Sequence, residues 1–226
     1  MKVFIGLLTW NNYLRHEMAD SLKALMDYTN SKGIECNALR WERIRTDIAR
    51  DNAIRQAWEL KGDYLLMLDD DNPCRPDTIT KLLEHKKDIV GALIPRRTPP
   101  HVPCIFKYDK NYKNGLGFKP YERHEIQKGL MEVDAIGMGC TLINVEAGKA
   151  IYDRFLESPF GLINEEYIDN GKTKLINIGE DIAFCRRAKK MGYKIFCDTE
   201  VRAGHIIKEP VICYNDRFET VFYNEK

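Results

Sequence analysis

The first hundred residues of the chain alternate between two hydrophobic periods. Residues 3–9 (VFIGLLT) form a near-continuous apolar run, as expected of a strand buried on both faces. Leu14, Met18, Leu22, Leu25 and Met26 then recur at helical spacing, and Gly33 lies beyond the end of that helix. Residues 34–41 (IECNALRW) read as a second strand. The pattern predicts a helix over 47–60, with Ile48, Ala53, Ala57 and Trp58 facing inward and Gly62 closing it. Residues 64–69 (YLLMLD) are a third strand. Pro76-Asp77 opens a third helix with Ile79, Leu82 and Leu83 inward, and residues 88–93 (DIVGAL) are a fourth strand. Four strands alternating with three helices predict a parallel, doubly wound α/β sheet.

The regularity breaks after Ile94. The proline-rich, basic stretch PRRTPPHVP (95–103) reads as a stiff crossing. Two short apolar runs, LMEVDAI and CTLINV, read as antiparallel strands around the turn GMG at 137–139. Helices are expected at about 146–156 and 180–191, separated by a polar segment (157–178) without clear periodicity. KIFCDT (194–199) is the last clear strand. No repeat or low-complexity tract interrupts the chain, so the second half is expected to add to the first sheet rather than form an independent domain.

Composition adds mainly exclusions. With 226 residues, 44% apolar and 31% charged, the chain is ordinary for a soluble globular protein. A formal charge of +1 offers no electrostatic footprint for nucleic acid or membrane. No apolar run approaches the roughly 20 residues of a membrane span. The apolar N-terminus superficially resembles a signal peptide, but no small-residue cleavage site follows, and it reads as the first strand. Seven cysteines without a C-x-x-C pair argue against a disulfide framework and a zinc ribbon. Reduced, mostly buried thiols and a cytoplasmic location, in a bacterium or a phage-infected host, are expected. His16, His85, His101 and His124 lack companions at ligand spacing and read as surface or structural residues.

The chemistry concentrates in GDYLLMLDDDNPCRP (62–76), where a buried strand runs into three consecutive aspartates. Adjacent carboxylates repel one another, so a divalent cation, arginines or plain solvent must sit among them. In an open parallel sheet, ligands bind beyond the carboxyl ends of the strands. Asp69, Asp70 and Asp71 lie at that edge, as do Thr9, Trp10 and Asn11 after the first strand. Pro73 and Pro76 stop the strand and stiffen the loop. Oxygen ligands of this kind suit Mg2+ or Mn2+ bound partly through a substrate's phosphates. An EF-hand is excluded, since its turn glycine would fall on Cys74 and its bidentate glutamate on Thr80. The bland alternative is a solvated loop tip.

A βα-alternating first half, a strand ending in LDDD, then IGMGCTLI, then GEDIAFCRRAKKMGYK and a closing GH follow one another in this order. This order resembles GT-A-fold glycosyltransferases near family 2, above all the small stand-alone enzymes of bacteria and their phages, over about residues 1–207. The resemblance implies a Rossmann-like, mostly parallel sheet with helices on both faces and a small antiparallel addition. It implies a single catalytic domain over 1–207, with a nucleotide-sugar half (1–94), an acceptor and metal-completing half (95–207), and a C-terminal extension (208–226). By the same resemblance Asp69 and Asp71 are the D-x-D pair, Asp69 near the donor ribose or metal and Asp71 a direct metal ligand. His205 completes the metal site, Asp181 is the catalytic base, and Glu180 orients the acceptor. Thr9, Trp10, Asn11, Arg50 and Asp70 contact the donor, with Arg50 facing the donor phosphates or loop. Asp51 interrupts the family's usual Arg-Asn adjacency at Asn52. Gly139 and Cys140 line the acceptor side. The implied reaction moves a sugar from a nucleotide-diphosphate sugar, UDP-linked by expectation, to a glycan, lipid-linked or protein acceptor hydroxyl with inversion, helped by Mn2+ or Mg2+.

Residue by residue, each assignment has a plainer rival. Glu180 and Asp181 could cap a helix, His205 could be an ordinary hydrogen-bonded histidine, and Gly137 and Gly139 could serve a tight turn. Arg96 and Arg97 could contact phosphate or form a solvated basic loop. Three other functions remain in view: an aspartyl-nucleophile phosphatase, a sugar nucleotidyltransferase, and a non-catalytic nucleotide- or glycan-binding module. The phosphatase motif wants Thr or Val two residues after its second Asp, where Pro73 stands, and the nucleotidyltransferase wants a glycine-rich loop where LTWNNYLR stands.

Overall fold

The computed structural model describes residues 1–10, 13–112, 117–156, 158–169, 172–207 and 211–223. The chain opens as β1 (Lys2–Thr9), α1 (His16–Ser31), β2 (Glu35–Glu42), α2 (Thr46–Glu59), β3 (Tyr64–Asp69), α3 (Thr78–Glu84) and β4 (Ile89–Leu93). The strands and helices expected in this half are all present. β2 and β3 flank β1 and run parallel to it, with Val3 opposite Cys36 on one side and Tyr64 on the other.

The second half comprises β5 (Ile105–Tyr108), β6 (Phe118–Pro120), β7 (Leu130–Val133), β8 (Ala135–Ile136), β9 (Cys140–Asn144), α4 (Val145–Arg154), β10 (Ile163–Asp169), β11 (Lys172–Ile178), α5 (Glu180–Lys190), β12 (Ile195–Arg202), β13 (His205–Ile206), β14 (Val211–Tyr214) and β15 (Thr220–Tyr223). The central sheet has the order β2-β1-β3-β9-β4-β12-β7. β1, β2, β3, β4 and β12 share one direction; β9 and β7 oppose it. The fold is therefore mixed α/β with a mostly parallel central sheet.

Two sequence expectations are corrected here. The runs on either side of the GMG turn do not pair with each other. β8 leaves the central sheet to pair with β5, and β9 enters that sheet between β3 and β4. β9 fits there because its side chains from Cys140 to Ile143 are fully buried, and because Gly91 on β4 leaves space for it. A Cβ at Gly91 would lie 2.6 Å from both Thr141 Oγ1 and Ile136 Cδ1. The segment 157–178 is also not a featureless loop. β10 and β11 form an antiparallel hairpin, with Ile163 opposite Ile178 and Asp169 opposite Lys172. The linking dipeptide Asn170-Gly171 is the sequence signal for it.

The sheet has an apolar core on each face. On one side Phe4, Leu65 and Met67 pack with Ala53, Ile54, Ala57, Ile151 and Phe184 of α2, α4 and α5. On the other Ile5, Leu66 and Leu68 pack with Met18, Leu25, Ile79 and Leu82 of α1 and α3. The inner face of α2 differs from expectation. Ile48 and Trp58 are exposed, whereas Ala49, Arg50, Ala53, Ile54 and Ala57 are buried. A charged residue in the middle of the true face hid its phase.

Residues 211–223 fold back onto the domain: β14 pairs with β13 and β15, and Tyr214 and Phe218 join the core. The Tyr214 hydroxyl donates to the His101 carbonyl at 2.6 Å. No helix among the described residues is long and apolar enough to cross a membrane.

Candidate active site

The carboxyl ends of β1 and β3 open into a cleft of about 250 Å³. Its floor carries Arg50, Glu180 and Asp181, and one wall carries the three aspartates and Arg97. Thr9, Trp10, Trp41, Ile44 and Thr46 line the other side. A second hollow, of about 690 Å³, adjoins it and shares Trp10, Asp70, Asp71 and Arg97. Tyr13, Arg15, Ile206 and Ile207 complete its lining.

Each aspartate has a different partner, which is how the triple charge is tolerated. Arg50 Nη2 donates to Asp69 Oδ1 and Oδ2 at 3.0 and 3.2 Å. The backbone N–H of Trp10 donates to Asp70 Oδ2 at 3.2 Å. Asp71 Oδ2 accepts from Arg97 Nη2 and lies 3.3 Å from His205 Nε2.

Arg50 is the hub of the floor. It is 1% exposed, and besides Asp69 its guanidinium lies 3.8 Å from Glu180 Oε1 and 3.7 Å from Asp181 Oδ1. Its Nη1 also donates to the Met138 carbonyl at 3.4 Å. Burial alone would lower the pKa of Arg50, but Asp69, Asp181 and Glu180 outweigh it and hold the guanidinium charged. One cation faces three carboxylates, so the site carries excess negative charge. Burial, with Glu180 and Asp69 adding to it against the pull of Arg50, pushes the Asp181 carboxyl up to about 7. Arg50 Nε and Asp181 Oδ1 are buried without hydrogen-bond partners within the described protein. Such atoms are costly unless a ligand or water completes them.

The Asp71 side of the cleft is set by the loop after β3. Cys74 bridges to Ala203, Gly204 N–H donates to the Pro73 carbonyl at 2.7 Å, and Ile206 N–H to the Asp71 carbonyl at 2.7 Å. Asn72, 2% exposed, donates from Nδ2 to the Gly204 carbonyl at 2.8 Å. The acidic loop thus runs beside residues 203–206, which brings His205 against Asp71 from 134 positions away in sequence. The Pro95 carbonyl lies 2.9 Å from His205 Nδ1 and orients the ring so that Nε2 faces Asp71. Burial would raise Asp71, but His205 and Arg97 outweigh it and hold the carboxyl below its ordinary range.

A carboxylate oxygen and an imidazole nitrogen side by side suit a divalent cation that takes its remaining ligands from phosphate and water. Among the described residues no three His, Cys, Asp or Glu side chains close into a fuller set. Asp71 and His205 therefore fit a cation as a two-ligand site. Asp69 faces Arg50 instead.

The other expected residues divide clearly. Thr9 is buried at the cleft wall, with Arg40 Nε 3.4 Å from its hydroxyl, and Trp10 is 70% exposed at the rim. Asn11 lies outside the described residues. Arg50 is turned beneath the carboxylates, with its guanidinium on Asp69 of the acidic loop. Gly139 backs the acidic loop: a Cβ there would lie 2.1 Å from Asn72 Oδ1, and its carbonyl accepts from Asp69 N–H at 3.1 Å. Cys140 is away from the cleft, fully buried with its thiol against Cys74, because strand alternation turns it into the opposite core. Trp41, Ile44, Thr46 and Asn72 were not foreseen as site residues. Trp41 and Ile44 could have been found as apolar residues just where the second strand ends on the ligand edge.

No protein-family model matches the chain, and no curated protein matches it in sequence. Among solved structures, the crystal structure of A197 from STIV aligns over 100% of this chain and 96% of its own, with a TM-score of 0.58 at 19% identity. The two chains share a fold over their whole length. The crystal structure of a glycosyltransferase involved in the glycosylation of the major capsid of PBCV-1 aligns over 71% of this chain and 70% of its own, with a TM-score of 0.36 at 14% identity. A superposition at that level carries no functional argument.

Proposed function

We propose that the protein is a GT-A-type glycosyltransferase, near family 2, that moves a sugar from a nucleotide-diphosphate sugar to an acceptor hydroxyl. The observation that carries this reading is convergence. Asp69 to Asp71 and Glu180-Asp181, more than a hundred residues apart, line one cleft at the carboxyl edge of the sheet and meet through Arg50.

In this reading the donor lies along the cleft, its nucleoside against Thr9, Trp10, Trp41 and Ile44 and its diphosphate beside Asp71. Mn2+ or Mg2+ held by Asp71 and His205 would supply Lewis-acid stabilisation of the departing diphosphate. Asp181 takes the proton from the acceptor hydroxyl as that oxygen attacks the anomeric carbon. Direct attack inverts the centre. A carboxyl pushed up to about 7 is well matched to this task near neutral pH, since its basicity is greater than that of an ordinary aspartate. Glu180 sits beside it to orient the acceptor, and Arg50 keeps the floor from repelling itself. UDP is the expected nucleotide. An aspartyl-nucleophile phosphatase is disfavoured because both oxygens of Asp69 are held by Arg50.

The test is calorimetric titration of UDP into the protein with Mn2+ and again with excess chelator, beside Asp71→Ala. UDP-sugars are then screened for transfer and the product anomer assigned by NMR. Metal-dependent binding that the variant loses, followed by transfer with inversion, is expected. Tight binding indifferent to both metal and Asp71 would overturn the metal assignment, and retention would remove Asp181 from its role.

A further inference from the structure

Arg97 projects from the proline-rich crossing after β4. The base of that crossing is closed by Arg96 N–H donating to the Val102 carbonyl and Cys104 N–H to the Ile94 carbonyl, each at 2.8 Å. The Pro95–Pro103 bridge reinforces it. The Arg97 side chain itself is 60% exposed and borders both hollows. Its Nη2 reaches Asp71 Oδ2, and its Nε lies 3.4 Å from His205 Nε2. A single guanidinium thus engages the carboxylate oxygen and the imidazole nitrogen that together would hold a divalent cation.

We propose that Arg97 is an exchangeable stand-in for the divalent cation. It occupies Asp71 and His205 while the site holds no metal, and it turns to the nucleotide diphosphate once a cation takes its place. Two like charges cannot share one carboxylate oxygen and one lone pair, so occupation by the metal must expel the guanidinium. The closed base of the crossing lets the side chain leave without unfolding the loop. The shared wall of the two hollows is where it can turn. A diphosphate entering there presents the oxygens that a planar, five-donor guanidinium recognises best. The nucleotide half of this proposal rests on the glycosyltransferase reading; the cation half does not.

The experiment is Mn2+ binding followed by electron paramagnetic resonance in the full chain, without nucleotide and then with UDP, for wild type, Arg97→Gln, Arg97→Lys and Asp71→Asn. Arg97→Gln is expected to bind Mn2+ alone about two- to fivefold tighter, the range in which exposed ion pairs compete. With Mn2+ present it should bind UDP about tenfold more weakly, as loss of a charge-assisted phosphate contact requires. Arg97→Lys keeps the positive charge and stays near wild type for Mn2+, and Asp71→Asn loses the ion. Unchanged or weaker Mn2+ binding by Arg97→Gln overturns the stand-in role while leaving the metal site intact. No Mn2+ binding by any form overturns this proposal and the metal dependence together. Tighter Mn2+ binding with no UDP binding supports the stand-in role and overturns UDP as the nucleotide.

Discussion

Arg50 and Asp69 meet through one nitrogen, Nη2, which donates to both carboxylate oxygens at 3.0 and 3.2 Å. The arginine comes from the buried face of α2 and the aspartate from the end of β3, so this pair fastens the acidic loop to the core. Around it Glu180 and Asp181 lean on the same guanidinium. Removing the arginine would leave three carboxylates facing one another. Arg50→Met is therefore expected to lose about 3 kcal/mol of stability, the scale for breaking one side of a buried ion pair. Denaturant midpoints measure this, and adding Asp69→Asn should recover part of the loss. Full stability in Arg50→Met would show that the cluster is not held by this charge.

Asp181 predicts a pH profile. As the proposed base it would work only when ionised, and its carboxyl is pushed up to about 7 by burial together with Glu180 and Asp69, against Arg50. Transfer measured as kcat/KM should rise with pH through about 7 and level off above it. Asp181→Asn should lower the rate by about 10²- to 10⁴-fold without lowering the melting temperature, because it relieves like-charge repulsion. A flat profile in the wild type would exclude Asp181 as the base.

Asp51 offers a stability test away from the chemistry. Its Oδ1 accepts from Phe160 N–H at 2.9 Å, joining α2 to the turn whose Phe160 ring stacks on Phe184 at 4.4 Å. Burial pushes this carboxyl up to about 6, against the hydrogen bonds from Phe160 and Ser158. A raised folded-state pKa means that the neutral form is favoured, so this group's contribution is complete below about pH 4 and is lost as pH rises through about 6. Asp51→Asn should gain stability over the wild type between pH 4 and pH 7, on the order of 2–3 kcal/mol. Chemical denaturation of both forms across that window checks the sign. A constant difference would falsify it.

The GMG turn separates two glycines by their surroundings. A Cβ at Gly139 would meet Asn72 Oδ1 at 2.1 Å, whereas at Gly137 the nearest atom is Cys104 Cβ at 3.1 Å and Asp181 Oδ2 is 3.6 Å away. Gly139→Ala must push the acidic loop off its seat and is expected to cost about 1–3 kcal/mol, the range for overpacking, with weakened Mn2+ and UDP binding. Gly137→Ala should be tolerated to within about 1 kcal/mol. Equal effects in paired melting and titration experiments would contradict the geometry.

How much of this was legible depends on whether the deciding contacts are local. The βα alternation to residue 94 was legible because each element carries its own period and its own breaker, such as Gly33, Gly62 and Pro76. The placement of Asp69, Asp70 and Asp71 on the ligand edge followed from strand direction alone. The order of Glu180, Asp181 and His205 was readable only as a resemblance. The β10–β11 hairpin was missed although Asn170-Gly171 marks it, because charged residues interrupt its alternation.

The sequence by itself determined which segments become strands and helices in the first half and at which end of the sheet the carboxylates emerge. Those outcomes depend on side-chain period and backbone direction within a few residues. Tertiary structure decided the insertion of β9 between β3 and β4, the burial of Arg50 under three carboxylates, and the meeting of Asp71, His205 and Arg97. Each of these depends on a partner distant in the chain: space left by Gly91, opposite charge to compensate a buried guanidinium, and a loop registered against residues 203–206. The energies that select them exist only once the chain has folded.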